Sequence, residues 1–186
     1  MMKRRTAVGG LLVAALIRPA GANASPGTDD VRPELDAFLP QHRLIGKGRL
    51  AVWGIQVYDA RLWALQGFKS QNLPAQPFAL ELAYLRDFNS KDTAERSIKE
   101  MRRSASISDE QAKAWMAAMQ RVLPDIKKGD RIMGVNQPDV GAQFLVNGKA
   151  AGEIRDVEFA RLFFGIWLSP KTSEPKLRDV LLTGAN

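Results

Sequence analysis

The order of periodic segments predicts an α+β open-faced sandwich, an antiparallel sheet with helices packed on one face. Two observations carry this. Segments run as strands, two helices, strands, two helices; and the strands within a group are joined by hairpin-type connections, Asn147-Gly148 the clearest, in place of βαβ crossovers.

The first two dozen residues read as an export address. Lys3, Arg4 and Arg5 precede an uncharged apolar run, Ala7 to Ile17, and Ala22-Asn23-Ala24 is a small-x-small cleavage site. The run is about half the length needed to span a bilayer. Residues 1–24 are therefore expected to be a signal peptide, leaving no stable membrane span and an exported, periplasmic-type location. Arg4-Arg5 also suits a twin-arginine route.

Residues 25–40, with Pro26, Gly27, Pro33 and Pro40, are expected to be a flexible leader, poorly ordered until about Leu35. One domain, 41–186, follows, with no repeat or linker.

Leu44 to Trp53 and Ile55 to Leu65 read as strands broken at Gly54. In Phe78 to Leu85, residues Phe78, Leu80, Leu82 and Tyr84 share one face, the alternation of a half-buried strand. A helix capped by Ser90 sets Ala94, Ile98 and Met101 inward and pairs Asp92-Arg96, Glu95-Lys99 and Arg96-Glu100 outward. A second helix begins at the capping box Ser108-Gln111, buries a Trp115, Met116 and Met119 stripe, and ends at Pro124. Arg131 to Val135, Gln143 to Val146 and a short segment to Ile154 are strands, the last two joined by Asn147-Gly148, whose residue types suit positive φ. Asp156 caps the run Val157 to Leu168, interrupted only by Glu158, Arg161 and Gly165, and Pro175 opens a final helix.

Composition removes several function classes. The 186-residue chain has 27 basic and 20 acidic residues, a net charge of +7. Residues 1–24 hold four basic residues and no acidic one, so the remainder carries +3, too little and too interleaved for a nucleic-acid footprint. No cysteine is present, and His42 is the one histidine, which excludes thiolate chemistry and a multi-histidine zinc site. Unclustered carboxylates give no calcium or magnesium loop, so no metal or cofactor is expected.

Four stretches resemble the chalcone isomerase-like superfamily, in particular its exported bacterial branch: 48–63, 82–86, 124–132 and, most specific, Gly152 to Pro170 with its core Phe159-Ala160-Arg161-Leu162-Phe163-Phe164-Gly165. The resemblance implies the fold read above, with a slot between sheet and helices. In the plant enzymes that slot holds a flavonoid, and an arginine, two threonines, a tyrosine and an asparagine organise intramolecular addition of a phenolate. Laid on this sequence, the tyrosine falls at Asn89, the asparagine at Arg96 and the threonines at Tyr58 and Arg161, all departures from the enzyme pattern. The arginine's counterpart is Arg49. Without groups that orient the substrate and its attacking oxygen, binding is expected rather than catalysis.

Non-enzymatic relatives hold fatty acids through an arginine and a tyrosine, and on that model Arg49, Tyr58, Arg96 and Arg161 are the candidate ligand-binding residues, since a guanidinium receives a carboxylate through two parallel hydrogen bonds. Each has a structural alternative. Arg161 stands three residues after Glu158 and Arg96 four from Asp92 and Glu100, spacings of surface ion pairs, while Tyr58 shares a strand face with Ala60 and Leu62. The expected function is exported, non-catalytic binding of a small hydrophobic, carboxylate-headed ligand; the alternatives are an intramolecular lyase or isomerase and an envelope protein-interaction module.

Overall fold

The computed structural model describes residues 31–185, so the expected signal peptide and residues 25–30 of the leader lie outside the described residues. Six strands form one antiparallel sheet in chain order: β1 (Arg43–Val52), β2 (Ile55–Ala64), β3 (Phe78–Tyr84), β4 (Arg131–Gln137), β5 (Gly141–Val146) and β6 (Lys149–Ile154). Helices α1 (Ser90–Met101) and α2 (Asp109–Val122) are inserted between β3 and β4, which still pair; α3 (Val157–Leu168) and α4 (Pro175–Leu181) close the chain.

Alternation decides which side chains meet the helices. Tyr58, Ala60, Leu62 and Ala64 of β2 and Phe78, Leu80, Leu82 and Tyr84 of β3 enter the main core with Met101, Trp115 and Met119. Helix α3 fills its centre. Phe163 meets Phe144 and Trp167 edge-on, Phe159 meets Trp115, and Phe164 packs on Phe78 with ring centroids 5.0 Å apart. Gly134 of β4 permits this approach, because a Cβ there would lie 3.0 Å from the Phe164 ring. At the sheet edge α4 lies tightly on β1, where a Cβ on Gly46 would meet the Val180 carbonyl oxygen at 2.2 Å.

The helix starts follow side-chain chemistry. Ser108 and Asp156 accept from the backbone N–H of Gln111 and Phe159, as the sequence predicts. The cap of α1 is Asn89 and not Ser90. Asn89 keeps an extended backbone and its Oδ1 accepts from Asp92 N at 2.7 Å, while Ser90, already helical, donates its hydroxyl to the Leu123 carbonyl at 2.6 Å.

The expectation of a flexible leader through residue 40 is corrected from Arg32 onward. Pro33–Leu35 form a 3₁₀ turn, and Leu35 and Leu39 are fully buried against Trp63, Ala79, Met133, Val135 and Leu145. These sheet residues form an apolar strip on the face away from the helices, and burying it is what holds the segment down. Beside it Glu81, completely buried, receives Arg32, Arg61 and Arg131, and Arg131 also pairs with Glu34.

Candidate ligand-binding site

The four sequence-predicted residues do not converge on one cavity. Arg49 is on the sheet face away from the helices, the face of Asp59, Arg61 and Trp63. Its Nε and Nη2 donate to the two Asp59 carboxylate oxygens at 2.5 and 2.9 Å and its Nη1 to Gln56. The Arg49 guanidinium holds the Asp59 carboxyl below its ordinary range against the opposing effect of burial. The β1 register carries Arg49 there, with shifts between Leu44 and Gly46 and between Leu50 and Ala51.

Tyr58 and Arg96 come to the same end of the core. Tyr58 is buried, its hydroxyl accepting the Trp167 Nε1–H at 2.8 Å and its ring meeting Tyr84 edge-on. Burial pushes the hydroxyl well above the ordinary phenol range, so it is neutral. Arg96 lies largely in solvent on α1, 2.9 Å from the Glu100 carboxylate, near enough for its charge to be felt at the Tyr58 hydroxyl. Arg161 is exposed on α3, and its Nε and Nη2 donate to both Glu158 oxygens at 2.7 and 2.6 Å.

Arg161 also borders a half-open cleft of about 440 Å³. One wall is α3, through Ala160, Phe164, Gly165 and Leu168; Phe78 and Asn136 close the sheet side; and Leu73 and Pro74 of the turn Ser70–Ala75 form the opposite lip. The lip is fixed by amides. Asn136, 4% exposed, donates to the Gln76 carbonyl at 2.8 Å, and Gln76 in turn bonds the backbone of Lys69 in both directions. Gly165 keeps the wall low, since a Cβ there would find only Ser169 Cβ, at 3.6 Å.

The second cation at the cleft is Arg178. Its Nε donates to the Leu168 carbonyl at 2.8 Å, which pins the guanidinium at the C-terminal end of α3, and its nearest carboxylate, Asp179, is 3.7 Å away. No acidic residue lines the cleft. Chemically this is a trough of mixed lining, apolar along Phe78, Ala160, Phe164 and Leu168 and polar at Ser70, Gln71, Asn136 and Ser169, with two guanidinium groups on its border, suited to an amphipathic anion. Among the described residues no group of three or more His, Asp or Glu side chains is arranged to hold a metal.

Arg178, Asn136 and the Leu73-Pro74 lip were not indicated by the sequence patterns. Gly165 was, as a gap in an otherwise apolar helix, but its stripe with Glu158 and Arg161 reads equally as a solvent face.

Comparison with known proteins agrees with this architecture. A Haemophilus influenzae protein of uncharacterized function is 30% identical over 131 residues, covering 70% of this chain and 63% of its own length, so the chain spans less than two thirds of that relative. The crystal structure of an Arabidopsis thaliana fatty-acid binding protein superposes with a TM-score of 0.58 at 12% identity, over 77% of this chain and 87% of that one, a likeness of fold. The model of the chalcone isomerase-like family matches residues 39–183. With the meander sheet, the α3 signature and this match covering most of its length, the chain belongs to the chalcone isomerase-like family.

Proposed function

We propose that this protein is an exported, non-catalytic binder of a small apolar molecule with an anionic head, a fatty acid being the class that fits best, and that the ligand lies along α3 with its head at Arg178 and Arg161. The observation that carries the reading is the cleft itself. Its volume of about 440 Å³ falls within the range typical of small-molecule sites, apolar side chains of α3, Leu73, Pro74 and Phe78 share its walls with polar ones, and its charged lining is entirely cationic. Arg161 is already engaged by Glu158, which leaves Arg178 as the better receptor for a carboxylate. The fatty-acid binding protein of similar fold supports the ligand class. The basic, apolar and small-residue order of residues 1–24 supports export.

Catalysis is disfavoured by the chemistry. The positions expected to orient a substrate carry Tyr58, Asn89, Arg96 and Arg161, of which Tyr58 is engaged by Trp167, Asn89 caps α1 and Arg161 pairs with Glu158. The test is calorimetric titration of the purified protein with a long-chain fatty acid, with native mass spectrometry of protein recovered from its own periplasm. Saturable binding is expected, weakened about 10- to 100-fold by Arg178→Ala, the loss of a charged hydrogen bond. An empty protein that ignores fatty acids would sink the reading.

A further inference from the structure

Two hairpins of the sheet turn on the same backbone but not the same chemistry. At the β5–β6 turn Asn147 and Gly148 have φ of 51° and 80°; at the β1–β2 turn Trp53 and Gly54 have φ of 50° and 80°. Asn suits this left-handed geometry and here uses its side chain fully, accepting from Arg131 N at 2.8 Å and donating to Asp130 at 2.9 Å. A tryptophan is poorly suited to positive φ, and Trp53 is 97% exposed, so its ring adds next to nothing to the packing of the domain. A residue that costs the turn and gains no contact within the fold marks a functional position.

The tip around it is built consistently. Val52 and Ile55, paired across the turn, are also exposed, and Leu50 to Tyr58 contain no charged residue. Strand β3 accompanies β2 only as far as Tyr58, with one more bond from Leu85 N to the Val57 carbonyl, so the tip stands clear of the sheet. Behind it the charges are mostly cationic. Lys47 and Arg49, the latter paired with Asp59, lie on β1 toward the tip, and at the neighbouring Tyr84 end exposed Arg86 and Lys127 flank Asp87, so cations outnumber acids there.

We propose that the Val52-Trp53-Gly54-Ile55 tip docks the protein on an anionic lipid bilayer, with Trp53 in the headgroup layer and the basic residues behind it facing the lipid charges. Three apolar side chains on a narrow convex tip fall well short of the roughly 800 Å² per partner of a stable protein interface. They match the interfacial placement of tryptophan, and the cations complement anionic headgroups. The cleft opens at the Phe78 end of β3 and the tip lies beyond the Tyr84 end, so docking is independent of cleft occupancy.

Trp53 is its own probe. The other three tryptophans, Trp63, Trp115 and Trp167, are buried, so a change in emission on adding vesicles reports the tip. With phosphatidylglycerol vesicles we expect a blue shift, smaller with phosphatidylcholine vesicles and reduced by salt. Trp53→Asn, which recreates the Asn-Gly turn, should abolish the shift and lower vesicle partitioning on the order of tenfold without lowering the thermal midpoint. Three results would overturn the proposal: no shift with phosphatidylglycerol vesicles, equal partitioning of Trp53→Asn, or a shift that grows with protein concentration in the absence of vesicles, which would assign the tip to a second copy of the chain.

Discussion

The indole N–H of Trp167 donates to the Tyr58 hydroxyl across 2.8 Å, joining α3 to β2 inside the core. Tyr58→Phe removes the acceptor and leaves a buried donor unmatched, a cost of about 1–3 kcal/mol. Urea denaturation should show this loss, and adding Trp167→Phe should cost less than the sum of the single changes, because the contact is shared. Fatty-acid affinity should be unchanged by Tyr58→Phe, since Tyr58 does not line the cleft; a matching loss of affinity would place the ligand head at Tyr58 instead.

Gly165 offers the cleanest way to fill the cleft. A side chain there has room at its base, with Ser169 Cβ at an ordinary 3.6 Å, and the change removes a helix penalty of about 1 kcal/mol for glycine. Gly165→Leu should therefore keep or raise the melting temperature while abolishing calorimetric fatty-acid binding. Retained binding would show that the guest lies elsewhere.

Where the sequence was informative, local chemistry alone determined the outcome. The Asn147-Gly148 turn and the caps Ser108 and Asp156 each depend on a few adjacent residues, and all three form as read. The site was less visible because its parts are distant in the chain. Arg178 faces the cleft through a bond to Leu168, Asn136 holds a lip more than 60 residues before it, and Arg49 is carried to the far face by register shifts that no alternation pattern reveals. Leu35 and Leu39 look like leader residues until the strip from Trp63 to Leu145 that they cover is known.

That strip depends on charge as well as on apolar burial. Glu81 is fully buried among Arg32, Arg61 and Arg131, so Glu81→Gln leaves cations without their counter-charge, and removing one partner of such a network costs about 3–5 kcal/mol. We expect a large drop in the urea midpoint together with faster amide hydrogen exchange at Leu35 and Leu39. An unaltered exchange rate there would mean that apolar contacts alone hold the segment.

Acid should weaken the fold through identifiable carboxylates. Arg49 lowers the pKa of Asp59, Arg161 that of Glu158, and Asn147 that of Asp130; burial raises that of Glu34, but its backbone hydrogen bond and Arg131 outweigh this. Each group binds a proton less readily folded than unfolded, so its contribution is complete above the ordinary carboxylate pKa of about 4 and is lost as pH falls through the lower folded value. The melting temperature should thus be nearly level from neutral pH to about pH 5 and fall steeply below pH 4. Asp59→Asn should start lower and lose less over the same acid range, because one of the responsible groups is gone. The surface position of the Arg49–Asp59 pair keeps that difference small, and high salt should shrink it further.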